Sequence, residues 1–267
     1  MIEIKDYNCR DLSKEFNLEL FLCGSARLDS SWQGQVVCSA VSRLYFVKKG
    51  SFFLVMGGER KELVQEGWYI IPAGASYEFG CESETEQLYF HLNLSSDDQI
   101  DLFGKHSALL CLPEHGAEAE ALSRLMNRDT DLAPLQMKNI LSGLLLQFIE
   151  RYNIDVDNSG YSPCVIKAMG YISEHLSESL TIKNIAEAIF VSESTLTKHF
   201  KRELNTTVNR YVDDLILTRA AQMITEGALS LSAISNLFGF CDQFYFSRKF
   251  KAKFGVTPSE YKRMRDI

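Results

Sequence analysis

The sequence predicts an α+β chain of two unlike halves, a strand-rich N-terminal half closed into a sandwich or small barrel and an all-helical C-terminal half. Three observations predict it. From about residue 18 to 94 apolar residues alternate and turn glycines recur, the pattern of short antiparallel strands. From residue 114 onward the apolar spacing changes to that of helices. The charge balance changes as well: residues 1–160 hold 14 Lys+Arg against 24 Asp+Glu, a net −10, and residues 161–267 hold 14 against 11, a net +3. An acidic half joined to a mildly basic one implies two domains with different partners, and 267 residues leave room for both.

The elements follow in order. Val36–Val41, Arg43–Val47, Ser51–Met56, Trp68–Ile71 and Gln87–Leu94 are short and rich in β-branched and aromatic residues, so each reads as a strand. Lys49-Gly50, Gly57-Gly58 and Glu66-Gly67 are turn positions, because glycine reaches positive φ without strain, and Pro72-Ala73-Gly74 ends another strand. Glu114–Arg128 and Pro134–Tyr152 are expected helices, the second with Met137, Ile140, Leu141, Leu144, Leu145, Phe148 and Tyr152 on one apolar stripe. Asp155–Gly160 is polar and helix-breaking, and 155–162 is the expected linker. Ser162-Pro163 then starts the helical half.

Composition excludes several classes. With 46% hydrophobic and 24% charged residues the chain reads as soluble and globular, and no apolar run approaches the ~20 residues of a membrane helix. The opening residues lack the layout of a signal peptide, so the cytoplasm is the expected address. The cysteines (9, 23, 38, 81, 111, 164 and 241) are odd in number and form no CxxC pair, which suggests neither a zinc site nor a disulfide framework. No nucleophile elbow, P-loop or dinucleotide-binding glycine pattern appears, and no cofactor is expected.

The helical half contains an internal repeat. Thr197-Lys198-His199-Phe200-Lys201 aligns with Ser247-Arg248-Lys249-Phe250-Lys251 at a spacing of 50, and the match continues through Thr207 with Thr257 and Tyr211 with Tyr261. Each copy reads helix, tight turn, helix. In the first, Thr181 caps a helix bearing Ile182, Ile185, Ala186 and Ile189; small Ala186 and Ala188 permit close approach, and Ser192 caps the second helix. In the second, Ile234 and Leu237 line the first helix, Gly239 supplies the turn and Asp242 caps the helix that follows. The connection, about Thr207–Glu226, is itself a helix and spans ~30 Å at 1.5 Å per residue. That is close to the ~34 Å between successive major-groove faces on one side of B-DNA. A matched pair of reading units on a rigid spacer predicts a sequence-specific DNA-binding protein. The plain alternative is a helical repeat that packs only on itself and acts as a protein-interaction module.

Residues 163–265 resemble the AraC/XylS family of transcription regulators. The resemblance is carried by Gly239-Phe240-Cys241-Asp242-Gln243-Phe244-Tyr245-Phe246-Ser247-Arg248-Lys249-Phe250-Lys251 and by Phe254-Gly255-Val256-Thr257-Pro258-Ser259-Glu260-Tyr261. Phe190 departs from it, standing where the family usually has glycine, and Ser235 and Leu237 replace small alanines. With Leu196, Phe200, Phe246 and Phe250 turned inward, Ser194, Thr195, Thr197, Lys198 and Lys201 face outward from the first copy, and Gln243, Phe244, Tyr245, Ser247, Arg248 and Lys251 from the second. The resemblance places base contacts on Ser194, Thr197, Lys198, Phe244 and Arg248. Lys201 and Lys251 suit phosphates.

Residues 18–94 resemble that family's cupin-like sensing domain, through Arg43-Leu44-Tyr45-Phe46-Val47, Lys49-Gly50, Gly67–Ala73 and Tyr89-Phe90-His91-Leu92. The resemblance implies a small effector, often a sugar, and pairing of equivalent 134–152 helices in a homodimer; the other reading of that stripe is packing under the barrel. The expected divisions are 1–110 for sensing, 111–154 for a helical connector, 155–162 for the linker and 163–267 for the double helix-turn-helix domain. Trp32, Arg43, Tyr45, Tyr77, Tyr89 and His91 are the candidate effector residues, since aromatic faces and a few polar groups suit a polar ligand. A metal-dependent cupin enzyme is the rival reading. It needs two or three converging histidines, and the strand region supplies only His91, with His106, His115, His175 and His199 elsewhere. Operator DNA, the effector, a second copy and, for activation, RNA polymerase are the expected partners.

Overall fold

The computed structural model describes residues 16–36, 39–95, 100–113, 116–156 and 160–263. Nine strands come first. β1 (Asn17–Leu28), β8 (Thr85–Ser95), β3 (Ser42–Lys49), β6 (Gly67–Ile71) and β9 (Leu110–Pro113) form one sheet in that order. β2 (Gln33–Val36), β7 (Tyr77–Gly80), β4 (Ser51–Met56) and β5 (Glu59–Val64) form the second. Every pairing within the two sheets is antiparallel.

Strand alternation divides the five-stranded sheet between two cores. Leu44, Phe46, Trp68, Ile70, Leu88, Phe90 and Leu92 bury against α1 (Gly116–Met126) and α2 (Ala133–Tyr152). Their neighbours Tyr45, Val47, Tyr69 and Ile71 face the other sheet, over Phe52, Leu54 and Leu63. The stripe on α2 is turned inward: Met137, Leu141, Leu144, Leu145 and Phe148 are buried, and the Tyr152 hydroxyl donates to the Cys111 carbonyl oxygen at 3.1 Å. The packing reading of that stripe is therefore the one the fold uses, leaving Leu135 and Leu146 exposed on α2.

Several strand expectations need correction. Only Val36 of the expected 36–41 strand lies in one, and residues 37–38 lie outside the described residues. Ala40 instead sends its N–H to the Asp214 carboxylate at 2.6 Å, and the Ser39 carbonyl accepts from Gly74 N–H at 2.7 Å, so this segment is spent on contacts outside any ladder. At Glu66-Gly67 it is Glu66 that takes φ 65; Gly67 stays extended, where a Cβ would lie 2.6 Å from the Tyr69 hydroxyl.

Helices complete the chain: α3 (Pro163–Glu174), α4 (Ile182–Ala188), α5 (Glu193–Leu204), α6 (Val208–Glu226), α7 (Leu231–Leu237), α8 (Gln243–Phe254) and α9 (Pro258–Arg263). Their shared core extends into the strand half, where Phe21, Leu22, Ala40, Val41 and Ile100 join Leu196, Phe200, Phe246 and Phe250 in one apolar cluster. The two halves are docked through that cluster and through polar contacts: Arg219 of α6 pairs with Glu19 of β1 and lies over the Phe21 ring at 4.6 Å.

Candidate nucleic-acid interface and effector cavity

Two helix-turn-helix units, α4–α5 and α7–α8, flank α6. Each second helix starts on a side-chain cap, which takes up one of the N–H groups that a helix start leaves unpaired. Ser192 Oγ accepts from Thr195 N–H at 3.1 Å and Asp242 Oδ1 from Tyr245 N–H at 2.7 Å. Thr181 with Asn184 forms a capping box at the start of α4, Thr207 caps α6, and Thr257 with Glu260 forms a capping box at the start of α9. Ser162 holds the cap backbone angles at the start of α3, yet its side chain makes no cap bond; its hydroxyl lies 3.0 Å from His199 Nδ1.

The turns differ in one respect. Gly239 turns the second unit at φ 74, and Phe190 turns the first at φ 60, with its ring 94% exposed. Swinging outward, the ring leaves α4 and α5 free to pack. Ala186 is buried between those helices; Ala188, expected there too, is exposed, as is Leu237 in the second unit.

Ser194, Thr195, Thr197, Lys198 and Lys201 form the exposed side of α5, opposite buried Leu196, Phe200 and Leu204. On α8, Gln243, Phe244, Arg248 and Lys251 are exposed, with Phe244 82% open to solvent. Tyr245 and Ser247, expected to be exposed with them, are half-buried. The Tyr245 ring packs edge-on against Phe240, 6.0 Å between centroids, and Lys249 Nζ sits 5.2 Å from it. Lys249 itself is turned inward, bonded to Glu178 at 2.8 Å and Asp213 at 2.7 Å. Burial opposes its charge, but those two carboxylates outweigh burial and raise its pKa. The ion pairs tie α8 to α6 and to the loop before α4.

The strand half holds a cavity of about 470 Å³. All six candidate effector residues, Trp32, Arg43, Tyr45, Tyr77, Tyr89 and His91, line it. Strand parity brings them together, since Arg43 pairs with His91 and Tyr45 with Tyr89 across β3 and β8. Trp32 stacks obliquely on Phe79 at 4.4 Å and edge-on to Phe52 at 5.4 Å. Arg43 Nη1 donates to the Tyr77 hydroxyl at 2.8 Å. Burial works against the Arg43 charge, and the Tyr77, Tyr45 and Asp214 oxygens outweigh it, so the guanidinium pKa is raised. Burial also pushes the Tyr77 phenol well above its ordinary range, against the pull of Arg43.

The sequence reading missed other lining residues. Gln87, on the same face of β8 as Tyr89 and His91, was available from strand parity alone. Phe254, Val256 and Tyr261 were not, because they come from the helical half: the wall that closes the cavity is the last residue of α8 with the segment and helix that follow. Beside it, Lys253 Nζ pairs with Asp214 at 2.7 Å, and that carboxylate takes the Ala40 N–H. His115 lies outside the described residues. Among the described residues no group of three or more His, Cys, Asp or Glu is placed to hold a metal ion, and no helix is long and apolar enough to cross a membrane.

A family model described as a helix-turn-helix domain matches residues 185–264, from within α4 through the second unit, with α6 between. The Msm operon regulatory protein of Streptococcus mutans is 23% identical over 96% of this chain and 96% of its own length. Residues 185–264 are a helix-turn-helix domain of the AraC/XylS type. The xylose operon regulatory protein of Escherichia coli K12 is 30% identical over 140 residues, 52% of this chain and 35% of its own. The crystal structure of ToxT from Vibrio cholerae superposes with a TM-score of 0.65 at 14% identity, covering 93% of this chain and 98% of that one, so the two-part fold is common to both. The chain is a DNA-binding transcription regulator, and the relatives are named as operon regulatory proteins. Of the three departures from the family pattern, Phe190 and Leu237 fall on exposed positions, whereas Ser235 is buried.

Proposed function

We propose that this regulator binds operator DNA through the outer faces of α5 and α8, and that a small polar effector of the sugar class, held in the strand-half cavity, sets how α8 is presented. One observation carries the reading. The cavity that collects the six candidate effector residues is closed by Phe254, the last residue of the second reading helix. A ligand there touches both halves at once, so its contacts differ between a docked and an undocked α8, as a shift in DNA affinity requires. The xylose and arabinose operon proteins among the relatives support the sugar class.

Lys198 and Arg248 are exposed at equivalent positions of the two copies, which supports a base-reading role for both. Lys201 and Lys251 stand on the same helices and suit the phosphates. Leu132, Leu135 and Leu146 stay exposed at α2 and offer a surface for a second copy, placing two such domains on repeated sites. The cytoplasm is where such a regulator meets its operator.

The test starts from a duplex selected from a random pool by the purified protein, followed by competition with unselected DNA. Arg248→Ala should weaken binding to the selected duplex by about 1–3 kcal/mol and relax preference at one base pair. Lys201→Ala should weaken all sequences alike and lower the salt slope by about one. Equal competition by unselected DNA would end the sequence-specific reading. An Arg248→Ala protein with unchanged preference would remove that residue from the base-reading set.

A further inference from the structure

The cavity wall carries two buried polar atoms whose hydrogen-bonding capacity is unmet. Arg43 Nε and Gln87 Oε1 are both inaccessible and without a partner, and Gln87 as a whole is 3% exposed. Leaving a buried donor or acceptor unpaired costs about 1–3 kcal/mol, more on a charged group, so a site that retains two is built for something that meets them. Their chemistries are opposite: a cationic N–H asks for an acceptor, an amide oxygen for a donor.

Charge narrows the choice. The charged side chains lining the cavity are Arg27 and Arg43, both cationic, with no carboxylate among the lining residues. Glu86 pairs with Arg27 at 3.2 Å on the exposed side. Asp214, the carboxylate whose field reaches Arg43, is already bonded to Lys253 and to Ala40 N–H. The partners that hold the Arg43 guanidinium are phenol oxygens, with Nη1 donating to the Tyr77 hydroxyl and Tyr45 bonding to it as well, while Nε stays unmet. The guanidinium fork matches a carboxylate, which Tyr77 cannot imitate. Gln87 and His91 sit four residues apart on one face of β8, ~13 Å along the strand, with Arg43 opposite His91. Arg43 and Gln87 thus both line a cavity walled by the Trp32, Tyr45 and Tyr89 rings, against which the C–H face of a sugar ring can lie.

We propose that the effector is a sugar acid, its carboxylate received by Arg43 and a hydroxyl donated to Gln87. This rests on the effector reading above and goes further, because a neutral sugar leaves the guanidinium unanswered and a plain aliphatic acid leaves Gln87 unanswered.

The test is titration calorimetry of the full chain with hexuronates and aldonates of the gluco, galacto and manno series, their neutral hexoses, and hexanoate. At least one sugar acid should bind about tenfold or more tighter than its neutral partner and than hexanoate, the worth of one charge-assisted contact. Arg43→Met should erase the preference for acid over neutral sugar, and Arg43→Lys should keep part of it, with circular dichroism confirming the fold of each. Gln87→Leu should weaken the sugar acid about fivefold or more, the cost of leaving a polar contact unmade, and leave hexanoate unchanged. A neutral hexose or hexanoate that binds as tightly as the best sugar acid overturns the proposal, and so does silence from every acid. If a neutral sugar binds where the acids do not, the cavity remains the effector site and only the acid class falls. If nothing binds, and filling the cavity with Ala26→Trp leaves operator affinity unchanged, the effector reading falls with it.

Discussion

Phe190 shows how a single residue departs from the duplicated plan. The two turns are equivalent in the repeat, yet one uses Gly239 at φ 74 and the other Phe190 at φ 60. A left-handed backbone costs a residue bearing a Cβ about 1–2 kcal/mol, and glycine returns roughly 0.5–1 kcal/mol of that through its freer unfolded chain. The ring is 94% exposed and offers little burial in exchange. Phe190→Gly should therefore stabilise the protein by about 0.5–1 kcal/mol, seen as a higher urea midpoint with an unchanged slope. A less stable variant would show that the ring makes contacts that outweigh its backbone strain. Residue-level reading from sequence succeeded where parity or helical phase decides a side chain's direction: Arg43, Tyr89 and His91 reach the cavity, and Lys198 and Arg248 reach solvent. It failed at Tyr245, since nothing in the spacing announces that the Phe240 ring will come to rest against it.

At the scale of elements, the start of α3 is tied to the last turn of α5 through one carboxylate. Glu203 Oε2 accepts from Ser162 N–H at 2.8 Å, and Oε1 accepts from Arg202 Nη2 at 2.5 Å and lies 2.9 Å from His199 Nδ1. Burial opposes its charge, but the bonds from Ser162, His199 and Arg202 prevail and hold its pKa at about 2, below the ordinary 4.5. A depressed carboxylate stabilises the fold above its unfolded pKa and loses that contribution as pH falls through the folded one. Glu203→Gln should thus cost roughly 2–3 kcal/mol at pH 7, with the gap from the parent closing between pH 4.5 and 2. Parallel pH–stability curves for the two proteins would refute it. The helices were legible because their caps are written locally, in Thr181, Ser192, Thr207, Asp242 and Thr257. β1, β5, β7 and β9 were not. β5 is Glu-Arg-Lys-Glu-Leu-Val with only Leu63 buried, and an edge strand that faces water on most positions carries no apolar alternation to read.

Across the whole molecule, one small polar joint sits where the cavity, the strand half and the second reading helix meet. Asp214 of α6 is bonded to Ala40 N–H at 2.6 Å and to Lys253 of α8 at 2.7 Å, and Lys253 also donates to Thr218 Oγ1 at 2.6 Å. Both charged side chains are nearly enclosed, 13% and 14% exposed, and burial lowers the Lys253 pKa despite Asp214. In such a pair the removal of one partner costs more than the removal of both, because a lone buried charge has nothing to repay its lost hydration. Asp214→Ala should then destabilise the protein by about 3 kcal/mol, a fall in Tm on the order of 5–10 °C for a chain of this size. Asp214→Ala with Lys253→Met should recover more than half of that loss, since the methionine keeps the packing and no ammonium is stranded. Recovery in stability need not bring recovery in control. The double variant lacks the tie between Ala40 and α6, so operator binding should respond less to any cavity ligand than in the parent. Calorimetry on the three proteins, with operator binding measured in parallel, separates the two effects. Additive losses in the double variant would show that the two charges act independently, and an undiminished ligand response would show that the halves communicate by another route.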